Sequence, residues 1–180
     1  MKKYEWLSIN YTLPKEPSRT RVSVWRKLKK SGAAITGQSV WMLPANDNNE
    51  DFFKKISDEI MLNGGEAYIT KATPIDERTE SNIVDAFNRA RDEEYSELIE
   101  KCEDMLRELK KESANYKFTF AELEENEEEF QKLDDWHQKI KDRDFYGSSL
   151  KTPSDERLEE CRVQLDNFSE EVYRQSNQKE

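Results

Sequence analysis

The sequence predicts an α+β protein in which a small unit of strands and helices precedes a long helical extension. Residues 1 to 73 contain short apolar segments of strand length, separated by Gly and Pro. Beyond Pro74 the apolar residues recur every three or four positions, as they do along helices. Charge divides the chain too, because residues 1 to 45 carry nine Lys or Arg and two Asp or Glu, a net charge of +7, whereas the whole chain carries −10. We therefore predict a domain at residues 1–73 and an acidic extension at residues 74–180, folded together as one unit.

A strand followed by a basic helix is predicted at the start of this domain. Apolar and polar side chains alternate over residues 6 to 13, and Pro14 and Pro17 end the strand. A helix is then predicted to begin at about Ser18. Its apolar face consists of Arg21, Val24, Trp25 and Leu28. Its opposite, basic face consists of Arg19, Arg26, Lys27 and Lys30.

Two strands, a helix and a last strand complete the predicted domain. Gly32 ends the first helix, and residues 34–36 and 39–43 have the pattern of strands joined by a tight turn at Gly37 and Gln38. A second helix is predicted to begin with an Asn48 cap and to end at Gly64, before a strand at residues 66–72. The resulting order, β-α-β-β-α-β, is that of a ferredoxin-like sandwich, in which two helices cover one face of a four-stranded antiparallel sheet.

Three amphipathic helices are predicted in the extension, at about residues 80–113, 120–143 and 153–175. Thr119 and Glu122 have the spacing of a capping box at the start of the second of these helices. Each helix has an apolar stripe that it cannot bury alone. We therefore expect the three helices to pack on one another and on the domain, with at least one of them covering the open face of the sheet.

The residues available for catalysis or metal binding are few. The chain contains one histidine, His137, and it contains neither a Gly-rich phosphate loop nor a Cys-x-x-Cys or Gly-x-Ser-x-Gly motif. His137 follows Asp134 at a ligand-like spacing, but one histidine on an apolar stripe is more typical of a hydrogen-bonded core residue. We therefore expect no catalytic residues, no metal and no cofactor, and a metal-dependent nuclease or redox enzyme is the alternative with the fewest residues to support it.

The two cysteines and the absence of long apolar segments indicate an intracellular protein. Cys102 and Cys161 fall on apolar helical stripes, which favours two buried free thiols. A redox pair is the alternative, and it requires the two helices to touch at that level. No apolar segment approaches the roughly 20 residues of a membrane span, and the first residues lack the pattern of a signal peptide. We expect a cytoplasmic protein that does not enter a membrane.

Three groups of residues are candidate binding sites. The basic helix face suits the phosphates of DNA, although it is equally typical of a solvated face paired with the acidic extension. A second group interrupts the apolar stripe of the first extension helix, where an arginine requires either a carboxylate of the sheet or of a neighbouring helix, or a small bound oxyanion. This group consists of Asn88, Arg89, Arg91 and Tyr95. A third candidate is a base-stacking platform on the sheet, with a covering helix as the alternative. It consists of Trp6, Trp41 and Tyr68.

Six blocks of sequence resemble the N-terminal region of the ChrB chromate-resistance proteins. They lie at residues 6–14, 21–33, 40–44, 85–95, 117–127 and 143–147, and include VWMLP at 40–44, DAFNRARDEEY at 85–95 and RDFYG at 143–147. The resemblance implies a bacterial regulator that binds promoter DNA, controls a chromate efflux system and responds to chromate or another oxyanion, and we expect it to act as a homodimer. Longer family members continue into a C-terminal sensing domain, so we expect a stand-alone N-terminal region here. The alternative function is a protein-interaction or dimerisation module that does not bind DNA.

Overall fold

The computed structural model describes residues 4–37 and 39–177. Gln38, one half of the predicted tight turn, lies outside them. The elements follow one another in the order β1 (Trp6–Thr12), α1 (Ser18–Lys30), β2 (Ala34–Thr36), β3 (Val40–Pro44), α2 (Asp47–Leu62), β4 (Glu66–Ala72), α3 (Glu77–Ala114), α4 (Phe120–Lys141) and α5 (Lys151–Asn177). The predicted α+β class is confirmed. Within the described residues, every helix is too short or too polar to cross a bilayer.

The four strands form one antiparallel sheet in the order β2-β3-β1-β4. Ile9 of β1 lies opposite Trp41 of β3, and its neighbour Asn10 lies opposite Tyr68 of β4. Because successive side chains of a strand point to opposite faces, Trp41 and Tyr68 lie on different faces of the sheet. The predicted stacking platform is therefore wrong: Trp6 and Trp41 are buried, and only Tyr68 is exposed.

Helices α1 and α2 cover one face of this sheet. Their buried side chains interlock with those of the two central strands in a single apolar core. It contains Leu7, Ile9, Val24, Leu28, Trp41, Leu43, Phe53, Ile56 and Ile60. Full burial of a large aliphatic or aromatic side chain contributes about 1.5–3 kcal/mol, so this core holds α1 firmly against the sheet. The N-cap of α2 is Asn46, whose side chain accepts a hydrogen bond from the Asn49 backbone N–H at 2.9 Å, and the predicted Asn48 cap was two residues late.

The opposite face of the sheet is covered at the Trp6 end by the start of α3 and by Arg143–Tyr146. Trp6 packs with Met42 and Phe87, and its indole N–H donates to the Tyr146 hydroxyl at 2.8 Å. Burial raises the pKa of Tyr146 to about 12, so the hydroxyl that accepts this bond stays uncharged well above neutral pH. The expectation that part of the extension covers the open face is met here by a four-residue segment as well as by a helix.

Contacts along the chain define two compact units. The first comprises the chain up to Ala90 together with Arg143–Tyr146, and the second comprises Arg91–Asp142 and the chain from Gly147 onward. The first turns of α3 therefore belong to the unit that contains the sheet. Our division at residues 73 and 74 stays a prediction, because these units are defined by contacts and not by independent folding.

The second unit is built on an apolar core shared by α3, α4 and α5. Its buried residues are Tyr95, Leu98, Cys102, Met105, Leu109, Leu133, Ile140, Leu158, Cys161, Leu165, Phe168 and Val172. They recur three and four positions apart along α3 and α5, and seven apart in α4, which is the spacing of an apolar helical face. The hydroxyl of Thr119 accepts a hydrogen bond from the Glu122 backbone N–H at 3.2 Å, as half of the predicted capping box.

Candidate nucleic-acid interface

Helix α1 contains six Lys or Arg residues and no Asp or Glu. Val24 and Leu28 are fully buried and fix the orientation of the helix on the sheet. At about 100° per residue, Arg19, Arg26 and Lys30 then fall within roughly 40° of one another on a side that faces away from this core. All three are exposed. The fold therefore presents a row of three cations along one side of a rigid helix.

The fourth predicted cation, Lys27, is partly neutralised by a neighbouring helix. Its ammonium lies 2.6 Å from a carboxylate oxygen of Glu59 on α2. About half of the Lys27 side chain remains exposed, and an ion pair in such a position contributes at most about 1 kcal/mol. None of Arg19, Arg26 and Lys30 forms an ion pair with a described residue of the first unit. Three of the four predicted cations are therefore available, while Lys27 has a competing partner that sequence reasoning missed.

The row of cations matches the dimensions of a nucleic-acid backbone. Arg19 and Lys30 are 11 residues apart, which at 1.5 Å per residue is about 17 Å along the helix axis. At 3.4 Å per base step, this length corresponds to about five nucleotides of a duplex strand. Each cation that neutralises a phosphate releases a counterion, so such a row would bind a polyanion with a salt-dependent affinity. Phosphate contacts of this kind position a protein on DNA and carry no sequence information.

The apolar face of α1 was predicted only in part. Val24 and Leu28 are buried as expected, whereas Arg21 is exposed and Trp25 is 46% exposed. Trp25 lies beside the buried face of α1, next to Tyr11 and Trp41 of the sheet. The ammonium of Lys29 lies 5.8 Å from the centre of the Trp25 ring, a distance suited to a cation–π contact. Helix α1 therefore carries an exposed aromatic residue next to its basic side.

The predicted oxyanion group is divided between the two units. Asn88 and Arg89 belong to the first unit, where Asn88 is half-buried and Arg89 is exposed. Arg91 and Tyr95 belong to the second unit, and both are buried. Arg91 is only 2% exposed, and its guanidinium lies 2.9 Å from the carboxylate of Glu94 on the same helix. Glu94 lies on the same helix as Arg91, whereas the structural alternative places the carboxylate on the sheet or on a neighbouring helix. Both that alternative and the oxyanion pocket therefore stay predictions.

Asp92 lies in the same stretch of sequence and binds the residues just before α5 in the second unit. Its carboxylate accepts hydrogen bonds from the Leu150 backbone N–H at 3.0 Å and from the Ser149 hydroxyl at 3.1 Å. The Ser148 hydroxyl donates to the same carboxylate. A negative charge immediately before the first turn of α5 is favourable because the helix dipole places partial positive charge there. This stretch of α3 thus ties the start of α5 in place.

The remaining chemistry-bearing residues of the second unit are buried among apolar side chains. Cys102 and Cys161 are both fully buried and reduced, and the Cys161 thiol lies 3.4 Å from the backbone carbonyl of Cys102. The hydrogen bond with Cys102, together with burial, raises the pKa of Cys161 above its ordinary value. The thiol of Cys161 therefore stays protonated at neutral pH, as in an inert core cysteine.

His137 is the hydrogen-bonded core residue that its position predicted. Its Nε2 lies 3.0 Å from a carboxylate oxygen of Asp155 and 3.3 Å from the hydroxyl of Ser154. Burial lowers the pKa of His137 and outweighs the opposing effect of Asp155. The described residues contain no group of three or more His, Cys, Asp or Glu arranged to hold a metal ion.

Comparison with known proteins places the chain in one family. The comparison with curated proteins gives no match, and neither does the comparison with solved structures. A family model described as "Protein ChrB, N-terminal" matches residues 21–179, which include α1 from Arg21 onward, the strands from β2 onward and helices α2 to α5. Because this match covers nearly the whole chain, the protein belongs to the family of ChrB N-terminal regions.

Proposed function

We propose that this protein is a regulatory module of chromate resistance that binds promoter DNA through Arg19, Arg26 and Lys30 on α1. One observation supports this assignment above the others: a helix without acidic residues presents three exposed cations in a row, and the described part of its unit leaves them without ion pairs. Family membership supports the association with chromate resistance. The residue types present, with a single histidine, favour a binding role over catalysis.

The net charge of −10 opposes binding to DNA, but it acts more weakly than the local cations. At physiological ionic strength the Debye length is about 8 Å, so exposed charges further than this from a phosphate are largely screened. Cations that contact phosphates directly are not screened in this way. We therefore expect weak long-range repulsion together with favourable contacts once the DNA has reached α1, and an affinity that falls as salt is raised.

The direct test is fluorescence anisotropy with a labelled duplex taken from upstream of the chromate-efflux gene, titrated at several salt concentrations. Replacing all three cations by glutamine (R19Q/R26Q/K30Q) should lower the affinity and reduce the slope of log K against log salt by about 2.7, since each phosphate contact contributes about 0.9. The matched control replaces three exposed lysines outside α1, Lys55, Lys71 and Lys110, by glutamine. It changes the net charge equally.

If the two triple variants bind the duplex equally well, the contact through α1 is wrong. An unchanged affinity across the salt series would contradict any phosphate contact, because releasing counterions always makes binding salt-dependent. No binding by the unmodified protein would favour the alternative of a protein-interaction module. Light scattering with and without the duplex would then show whether a stable oligomer forms that ignores DNA.

Three further parts of the assignment are also proposals. The strand order β2-β3-β1-β4, with α1 and α2 packed on one face, supports describing the first unit as ferredoxin-like. A cytoplasmic location follows from the proposed task, because the promoter lies there. A homodimer, and chromate or another oxyanion as effector, are supported only by the resemblance to the family. Sedimentation velocity and thermal shifts with chromate and with sulfate test these last two points separately.

A further inference from the structure

The surface beside the basic row of α1 contains an aromatic groove with two adjoining compartments. One, of about 330 Å³, is lined by Tyr11, Ser18, Arg21, Val22 and Trp25. The other, of about 510 Å³, is lined by Tyr11, Trp25, Lys29, Ile35, Ser39 and Trp41. Tyr11 and Trp25 line both compartments, so these two rings stand at the junction between them. All of these residues belong to the first unit.

The groove exists because the sheet extends beyond the helix that covers it. Ile35 of β2 lies opposite Trp41 of β3, and both therefore share the face on which α1 packs. Val24 and Leu28 of α1 are buried in the core on that face, whereas Ile35 on the edge strand β2 stays exposed. As a result Val22, Trp25 and Ile35 are between 42% and 46% exposed, side by side with a buried tryptophan. Together with Tyr11, these side chains offer a flat aromatic and aliphatic surface against which the ring of a ligand could pack.

The charges around the groove indicate what it binds. Its lining includes the cations Arg21 and Lys29 and, among the described residues, no carboxylate. Lys29 lies over the Trp25 ring, and the open row of Arg19, Arg26 and Lys30 continues on the next side of the same helix. A partner that fits must therefore combine a flat apolar part with negative charge. A nucleotide has this combination, since its base can stack on an aromatic ring while its phosphate meets a cation.

A second copy of the chain is the competing occupant, and the charges disfavour it. A symmetric interface through this face would bring the same cations of α1 together from both copies, and like charges placed opposite each other across an interface are repulsive. A nucleotide carries the opposite sign. The compartments are also within the range of small-molecule sites, about 300–1,000 Å³, so that each can hold a base or a base with its sugar.

We propose that this groove binds an unstacked nucleotide, with the base on Trp25 and Tyr11 and the phosphate near Arg21 or Lys29. The nucleotide is an unpaired one of a nucleic acid, because the row of cations on the next side of α1 lies within reach of the adjoining backbone. The inference goes beyond the proposed contact with duplex DNA. It places a second contact on α1, made by residues other than Arg19, Arg26 and Lys30.

The test is a pair of titrations of the full chain, one with labelled dTMP and one with a labelled single-stranded oligo-dT, followed by fluorescence anisotropy. Stacking of one base on an aromatic side chain contributes about 1–3 kcal/mol, so Trp25→Leu should weaken binding about 5- to 150-fold. Trp25→Phe keeps an aromatic face and should restore most of the affinity. The matched control is Tyr116→Leu, which removes an exposed aromatic residue from the second unit.

Each result supports or overturns the proposal. Binding of oligo-dT that Trp25→Leu weakens supports the proposal, whereas binding of dTMP without binding of oligo-dT overturns it in favour of a free nucleotide. Equal affinity of Trp25→Leu and the unmodified chain, or no binding of either probe, overturns it. A dimer that Trp25→Leu abolishes, without nucleotide binding, also overturns it in favour of a second copy. The duplex affinity of the same Trp25→Leu protein distinguishes failure of this inference from failure of the proposed function. If the protein still binds the duplex, only the inference about the groove has failed.

Discussion

Replacing Gly32 by alanine tests the way in which Arg143–Tyr146 docks beside the end of α1. Gly32 has a φ of +85°, a conformation that costs an L residue roughly 1–2 kcal/mol. A Cβ at this position would also lie 2.9 Å from the Cβ of Arg143 and 3.1 Å from the ring of Phe145. Both of these atoms belong to the docked segment, which therefore has to move to accommodate the methyl group.

The expected loss of stability is the sum of the cost of the positive φ and the cost of the close contacts. Overpacking a tight contact costs typically about 1–3 kcal/mol, so Gly32→Ala should lower the free energy of unfolding by about 2–5 kcal/mol in all. Gly37 provides a matched control, since it has a φ of +67° and nothing within 4 Å of the position that a Cβ would take. Gly37→Ala should lose only the conformational part, about 1–2 kcal/mol. Replacing glycine by alanine lowers the conformational entropy of the unfolded chain equally in both variants. This effect therefore cancels from the difference between their free energies of unfolding.

Urea unfolding followed by far-UV circular dichroism measures both variants under the same conditions. A difference of about 1–3 kcal/mol between them is the contribution of the close approach to Arg143 and Phe145. Equal destabilisation of Gly32→Ala and Gly37→Ala would show that the segment does not pack against the end of α1. A larger loss in Gly37→Ala than in Gly32→Ala would contradict the reasoning altogether.

The structure also fixes the direction of the outcome for two other substitutions and for one change of pH. Glu59→Gln frees Lys27 and removes a negative charge beside the basic row, so duplex affinity measured by anisotropy should rise. Tyr146→Phe leaves the buried indole N–H of Trp6 without its acceptor, which should cost about 1–3 kcal/mol in urea unfolding. Burial holds the pKa of His137 below its ordinary 6.5 in the folded state, so its contribution to stability is present above pH 6.5 and is lost as the pH falls through the lowered pKa.

Each of these three predictions has a control substitution. Glu66→Gln removes an exposed carboxylate from β4, and equal gains in affinity from it and from Glu59→Gln would show a general charge effect. Tyr116→Phe changes an exposed tyrosine and should leave stability unchanged. For His137 the comparison is His137→Gln, whose free energy of unfolding should fall less between pH 7.5 and pH 5. Parallel pH profiles of the two proteins would mean that His137 is not the group responsible.

The elements of the fold could be predicted because their signals are local. Gly and Pro mark the ends of the strands, and the apolar spacing of Leu158, Cys161 and Leu165 specifies the buried face of α5 without reference to other elements. Arg143–Tyr146 had no such signal. Four residues between helices have no periodicity, and the burial of Tyr146 depends on Trp6, which lies 140 positions earlier.

Trp41 and Trp25 show why the faces of elements were harder to predict. The face to which Trp41 points depends on the register of β3, and a shift of one residue moves every side chain of a strand to the opposite face. That register depends on the turn before β3, which the pattern of apolar residues does not specify. Trp25 lies at the border of the buried face of α1, and its exposure depends on how far the sheet extends beneath it. The face to which Trp41 points and the exposure of Trp25 therefore depend on the assembled sheet, and neither segment alone determines them.

The basic row and the aromatic groove lie on one helix, and the same two buried residues orient both. Val24 and Leu28 pack on the sheet and fix the orientation of α1. The cations of the basic row therefore point to one side of the helix. Trp25 and Lys29 border the groove on the adjoining side. A nucleic acid that reached both would place its backbone along the row and an unpaired base in the groove. The two contacts would then reinforce each other, since the second forms within one already bound molecule. Affinity for a duplex with a short single-stranded end should therefore exceed that for a fully paired duplex, and Trp25→Leu should remove the difference without changing binding to the paired duplex.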